Sequence, residues 1–337
     1  MQIPDNDFLA FTLAHPDQQA PFAQAFPGGM AYVEQVGVLR IVPEHSCADR
    51  VILSSGIHGN ETAPMELLNE LLRDILGGRL TPVVPLLFII GHPQAAVAQT
   101  RFCEVNLNRL FQGAWQRYQG REVERAQQLE QQVARFFDDP QATGKKLHYD
   151  LHTAIRASAY ETFAVHPYTS GKPYQDEQFG LYAAMGLEAV LLSHQPTTTF
   201  SYHSYATHGA EAATIELGKV RPFGANDLSQ LQQMREVLTQ MIRTGQLATK
   251  AYQETLKCFA VVDVLVKDAP DFELGVSNAV PNFTAFEQGE ALAWSSQNRY
   301  IVKQTGDALV FPNTDIPVGQ RAGLVVRQCD WDKVRSV

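Results

Sequence analysis

Between about residue 49 and residue 245, short apolar runs alternate with longer one-sided stretches. The runs at 50–55, 83–90, 147–151, 161–165, 189–193 and 212–217 have the length and apolar content of strands. The stretches at 63–76, 122–138, 174–185 and 227–243 read as helices. In 122–138 the apolar positions fall at 126, 129, 133, 136 and 137, a single helical face. Strands alternating with helices predict an α/β fold with a parallel or mixed sheet flanked by helices. Past residue 246 the helical period fades. Short β-like runs follow at 259–266, 291–294, 299–302 and 324–326, separated by turn-rich stretches at 268–270 and 312–315. The pattern therefore predicts an α/β domain over 1–250, with a β-rich lead-in over 1–45 that turns at Gly28–Gly29. A smaller all-β domain is expected over 251–337.

Composition narrows the function classes. The chain has 337 residues, 45% of them apolar and 19% charged, too apolar for a disordered protein. A net charge of −9 argues against nucleic acid as a partner. It also repels small anions, so an anionic substrate would need a local cluster of arginines. The longest strongly apolar run, 83–90, is about half of the roughly 20 residues that span a bilayer, so no membrane partner is expected. Asp5 and Asp7 stand where a secretory signal would be basic, and a cytoplasmic location is expected. Cys47, Cys103, Cys258 and Cys329 lie far apart with no C-x-x-C pair. They read as four buried thiols in a reducing compartment, not as a disulfide or zinc framework.

The run 50–55 leads into Ser54-Ser55-Gly56-Ile57-His58-Gly59-Asn60-Glu61-Thr62, and a helix follows. Loops at the carboxyl ends of strands form the ligand crevice of open α/β sheets. An imidazole and a carboxylate three residues apart can converge there on one Zn²⁺. The spacing alone is weak evidence, because this composition gives about one H-x-x-[D/E] by chance and the sequence holds two. The second, His208-Gly209-Ala210-Glu211, precedes a strand instead of following one and reads as structural. A third ligand candidate, His152, ends the run Leu147-His148-Tyr149-Asp150-Leu151-His152, with Asp150 on the same side of the strand. Two histidines and a glutamate make a catalytic zinc donor set with one position open.

Glu216 sits among apolar neighbours near the end of the run 212–217. Such a carboxylate is either a general base or half of a salt bridge, with Lys219 as the nearest partner in sequence. Arg101 and Arg109 lie in a polar loop after the run 83–90. They suit carboxylate recognition or oxyanion stabilisation, though a solvated loop would look the same. Arg156, four residues past His152, is a further cationic candidate.

Taken together, His58-Gly59-Asn60-Glu61, Asn108-Arg109, Asp150-Leu151-His152 and Ile215-Glu216-Leu217-Gly218 resemble the succinylglutamate desuccinylase/aspartoacylase family, relatives of the zinc carboxypeptidases. The likeness extends to Thr62-Ala63-Pro64, Pro222-Phe223-Gly224 and Arg321-Ala322-Gly323-Leu324, nearly the whole chain. It implies a zinc-carboxypeptidase-like mixed sheet and one Zn²⁺ per chain on His58, Glu61 and His152. It further implies that Glu216 is the general base, that Arg101 polarises the scissile carbonyl, and that Asn108 and Arg109 hold a substrate carboxylate. Arg156 is added as a substrate contact. The implied reaction is hydrolysis of the amide in a small anionic acyl-amino acid. N-succinyl-L-glutamate, an intermediate of arginine catabolism, is favoured; aspartoacylase-type and carboxypeptidase-type substrates are the alternatives. The chain departs from the pattern at Asn106, where relatives often carry Asp.

Overall fold

The computed structural model describes residues 1–277 and 279–335. The lead-in forms α1 (Phe8–Ala14) and the hairpin strands β1 (Phe22–Phe26), β2 (Gly29–Gln35) and β3 (Val38–Pro43). There follow β4 (Arg50–Ser55), α2 (Thr62–Leu76), β5 (Leu86–Ile90), α3 (Pro93–Val97), α4 (Arg121–Phe137) and β6 (Lys146–Ala154). Next come β7 (Thr162–His166), α5 (Asp176–Ala184), β8 (Ala189–Leu192), α6 (Phe200–His208), β9 (Glu211–Lys219) and α7 (Gln232–Thr244). The C-terminal region holds β10 (Lys257–Val266), β11 (Glu273–Leu274), β12 (Thr284–Ala285), β13 (Ala291–Trp294), β14 (Arg299–Ile301), β15 (Ala308–Val310), β16 (Arg321–Gln328) and α8 (Trp331–Arg335).

Thirteen strands make one mixed sheet in the order β1-β2-β3-β5-β4-β6-β9-β7-β8-β10-β16-β15-β12, and β11-β13-β14 form a small second sheet. At its centre β5, β4, β6 and β9 run parallel. Every residue of β4 and β5 is buried, which is why they read as unbroken apolar runs and not as alternating strands. Helices cover both faces through one-sided stripes: α2 buries Leu67, Leu68, Leu71, Leu72 and Ile75, and α4 buries Ala126, Leu129, Val133, Phe136 and Phe137. The C-terminal strands are β structure as expected, yet β10 pairs with β8 and so continues the main sheet. None of the described helices is long and apolar enough to cross a membrane.

The differences from expectation have local causes. The strand at 83–90 covers only Leu86–Ile90, because Val83 bonds Cys47 and Ile242 instead and Pro85 has no N–H to give. The lead-in contains a helix, α1, whose Asp7 cap accepts the Ala10 N–H at 2.9 Å while Phe8, Leu9 and Phe11 turn inward. Helix α6, Phe-Ser-Tyr-His-Ser-Tyr-Ala-Thr-His, has no apolar stripe to announce it. It is held by packing on β6 and β9 and by Phe200 stacked on Phe111 at 4.5 Å. The cysteines are all free, but only Cys258 is buried; Cys47 and Cys329 are half-buried and Cys103 is exposed. Four buried thiols were expected, and Cys103 departs because it lies on a polar loop outside every strand and helix.

Candidate active site

The parallel register sets three strand ends side by side. Ser54 lies opposite Asp150, and His152 opposite Glu216. After β4 the chain turns through Gly56, at φ +65°, and passes Gly59, where an added Cβ would lie 2.1 Å from the backbone of Ala95. That close approach tucks the loop against α3 and brings Glu61 to the N-terminal end of α2. Glu61 is 1% exposed, yet its carboxylate does not cap the helix. It faces the two histidines instead: Oε1 lies 2.9 Å from His58 Nδ1 and Oε2 lies 2.8 Å from His152 Nδ1. The Thr153 N–H donates to Oε2 at 3.1 Å, and Arg101 donates to Oε1 at 2.6 Å.

Each imidazole is oriented from behind. His152 Nε2 meets Asp150 Oδ2 at 2.8 Å, and His58 Nε2 meets Asn106 Oδ1 at 3.0 Å. These partners assign the Nε2 protons and turn both Nδ1 atoms toward Glu61, an outer arrangement common to metal-binding histidines. The network continues inward. Ser54 donates to Asp150 at 2.6 Å, so His148 must donate to Ser54 (2.8 Å) and accept from Ser204 on α6 (2.7 Å). Burial keeps His148 neutral, its pKa lowered to about 4, as that hydrogen-bond pattern requires.

Charge balance follows the same geometry. Burial works against the Glu61 anion, but His58 and His152 overcome it and hold its carboxyl well below the usual range. Burial lowers His58 to about 4, with Arg101 adding to the effect. Burial opposes charge on His152 too, yet Asp150 and Glu61 hold its proton well above the usual range. The buried Glu61 carboxylate between the two Nδ1 atoms, with the buried Asp150 carboxylate behind His152, favours a cation among these groups. His58, Glu61 and His152 offer ligand atoms that all lie within 4.8 Å of one another. Two imidazole nitrogens and a carboxylate, with side chains oriented from behind, suit Zn²⁺ in chemistry and number.

Glu216 lies beside this group, 9% exposed, with Oε2 buried and unbonded. Among the described residues it forms no ion pair with Lys219, which is exposed at the end of β9. The salt-bridge reading of Glu216 therefore falls. Burial, with Glu61 nearby, raises Glu216 to about 7.

Arg101 reaches this group through Glu61, whereas Arg109 is exposed and its guanidinium donates to the Asn108 carbonyl at 3.1 Å. The Arg101 loop is anchored by Glu122, fully buried at the start of α4, whose Oε1 accepts from the Cys103 and Glu104 amides and from His92 Nε2. Arg109 ends the short 3₁₀ turn Leu107–Arg109. The buried Asn108 accepts the Phe200 N–H through Oδ1 at 2.9 Å, leaving its amide group for a ligand. Arg156 is half-buried in the loop after β6. The second His-x-x-Glu pair stands apart: His208 bonds Asp138 at 3.1 Å, and Glu211 opens β9 at the far end of the sheet. Asn106, Ser54, His148 and Glu122 were not singled out as site residues. For Ser54 and His148 the visible signal was a polar side chain in the apolar runs of β4 and β6, where burial requires a partner; Asn106 and Glu122 carried no such signal.

The catalytic-domain model of the succinylglutamate desuccinylase/aspartoacylase family matches residues 47–242, and the barrel-sandwich hybrid domain model of that family matches residues 254–329. A succinylglutamate desuccinylase of Shewanella frigidimarina is 42% identical over 327 residues, covering 95% of each chain. The crystal structure of succinylglutamate desuccinylase from Vibrio parahaemolyticus superposes with a TM-score of 0.88 at 36% identity, covering 95% of this chain and 94% of that one. Its counterpart from Chromobacterium violaceum gives 0.86 at 36% identity, covering 96% and 98%. With catalytic and C-terminal regions both matched over nearly its whole length, the chain belongs to the succinylglutamate desuccinylase/aspartoacylase family and is a hydrolase acting on an amide.

Proposed function

We propose that the protein hydrolyses N-succinyl-L-glutamate to succinate and L-glutamate at a zinc centre on His58, Glu61 and His152. The observation that carries the mechanism is Glu216, a buried carboxylate without a hydrogen-bond partner on Oε2, lying in register beside the ligand His152. The names of the similar proteins support the choice of substrate. Zn²⁺ held by the three ligands supplies Lewis acidity, polarising a carbonyl and lowering the pKa of water toward about 7. Glu216 accepts the proton of the attacking water on its free oxygen and returns one to the leaving amine. Arg101, held at the site by Glu61, donates to the carbonyl oxygen as negative charge develops there. The Asn108 amide and the Arg109 guanidinium hold a substrate carboxylate, with Arg156 at the rim.

The test is kcat/KM of the zinc-loaded protein on N-succinyl-L-glutamate, N-acetyl-L-aspartate and a short peptide, with Glu216→Gln as control. A strong preference for the first, abolished in the control, is expected. Turnover of only another substrate would keep the zinc mechanism and overturn the substrate. Full activity in Glu216→Gln would overturn the base.

A further inference from the structure

Behind the Arg101 loop the protein gathers a second set of metal donors. His92, Cys103 and Glu122 offer an imidazole nitrogen, a thiol sulfur and a carboxylate oxygen that all lie within 4.8 Å of one another. They come from three places in the fold. His92 follows β5 and caps α3, Cys103 stands on the loop between α3 and α4, and Glu122 lies in the first turn of α4. His92 is 2% exposed and Glu122 fully buried, whereas Cys103 is exposed and gives an ion a way in.

The Glu122 carboxylate is only half satisfied. Its Oε1 accepts from His92 Nε2 at 3.0 Å and from the Cys103 and Glu104 amides at 2.9 Å each. Its Oε2 is buried and has no hydrogen bond among the described residues. Neither lysine nor arginine pairs with this anion there; its ion-pair partner is His92. Arg125, one turn along α4, donates to the Ile90 and Gly91 carbonyls instead. A buried carboxylate with an open oxygen and no cation is costly, and a metal ion answers both needs. The Glu61 group has the same form, with a histidine nitrogen 2.9 Å from a carboxylate oxygen.

We infer that His92, Cys103 and Glu122 form a second metal site, separate from His58, Glu61 and His152, that takes a divalent transition metal of the zinc type. Sulfur, nitrogen and oxygen donors together suit Zn²⁺, with solvent in the fourth position. Binding releases the Cys103 thiol proton. The His92 proton moves from Nε2 to Nδ1, which gives up only a long 3.4 Å contact from the Ala95 N–H. The place of the site gives it a consequence. Cys103 lies two residues from Arg101, whose carbonyl accepts the Gly59 N–H at 3.2 Å, and the His92 N–H donates to the Gly56 carbonyl at 2.7 Å. An ion held here fastens the Arg101 loop to the turn that carries His58 and Glu61.

Cobalt provides the test, because a sulfur-to-cobalt charge-transfer band requires a thiolate and the group His58, Glu61 and His152 contains none. Co²⁺ is titrated under reducing conditions into the full chain after a chelator has removed bound metal. A saturable band is expected in the parent protein and is expected to vanish in Cys103→Ala. His92→Gln keeps a donor for Glu122 Oε1 but removes the nitrogen ligand, and should weaken cobalt binding at the thiol. In the parent protein, free Zn²⁺ at about ten times its Kd should slow alkylation of Cys103 about tenfold, as the free fraction of the site falls. Absence of the band, its survival in Cys103→Ala, or alkylation indifferent to Zn²⁺ would overturn the assignment. Equal cobalt affinity in His92→Gln would also overturn it, leaving adventitious binding by the thiol only.

Discussion

His58 and Glu61 meet at 2.9 Å inside the protein, while His208 and Glu211, spaced identically in the chain, face different neighbours at the other end of the sheet. The first pair lies between the end of β4 and the start of α2, and the loop folds both side chains toward the edge where β6 and β9 also end. In the second pair Gly209, at φ +66°, terminates α6, and the chain then straightens into β9. His208 stays with Asp138 and Phe137, and Glu211 lies opposite Leu147. Glu216 lies five residue steps along the strand from Glu211, about 16 Å along the sheet. The identical spacing has different consequences because a strand-to-helix loop converges side chains at a sheet edge, whereas a helix-to-strand junction separates them.

The largest test of this contrast removes one carboxylate from each pair. Glu61→Gln is expected to lose bound metal and about 10³-fold or more in kcat, since a catalytic metal supplies several kcal/mol. Glu211→Gln should leave both unchanged; metal content and turnover of the two variants decide. A smaller effect is expected one step behind the ligands. Asp150→Asn removes the anion that orients His152 and should weaken metal affinity about 10–100-fold, read by competition with a chelator. An unchanged affinity would make Asp150 structural only. The smallest effect is a stability gain in Glu211→Gln. Burial, with Glu177, raises the Glu211 pKa above the usual glutamate range, so the folded state disfavours the ionised form. The penalty is present at neutral pH and disappears as pH falls below the unfolded value. The variant should therefore unfold at slightly higher temperature than the parent at pH 7, by under about 1 kcal/mol in this partly solvated position, and equally at pH 4. A lower melting temperature at pH 7 would give Glu211 a stabilising partner.

Much of the framework was legible in order along the chain. The strand at 50–55 stands where its apolar run placed it, and α4 buries the five positions that its period selected. His152 and Asp150 share a side of β6, as alternation in a strand requires. Other elements left no periodic trace. Helix α6 is polar and aromatic around its circumference, so its stability comes from packing on β6 and β9 and not from a stripe. Cys103 was expected to be buried because cysteines usually are, but its loop is fixed by Glu122 through backbone amides and leaves the thiol outside.

What the sequence determined by itself was the local chemistry: strand and helix periods, the glycines that permit the turn after β4, and the candidate group His58, Glu61 and His152 that could hold a metal. These depend on neighbours a few residues apart, where backbone geometry is nearly fixed. The tertiary structure alone decided which distant groups share a charge environment. Asp150 reaches Ser54 across 96 positions, and Glu61 reaches His152 across 91. Such pairings arise from which strands lie side by side, and with β4 and β5 buried on both faces no alternation along them marks a partner. Electrostatic coupling depends on distance in space and on burial, and no spacing along the chain encodes either.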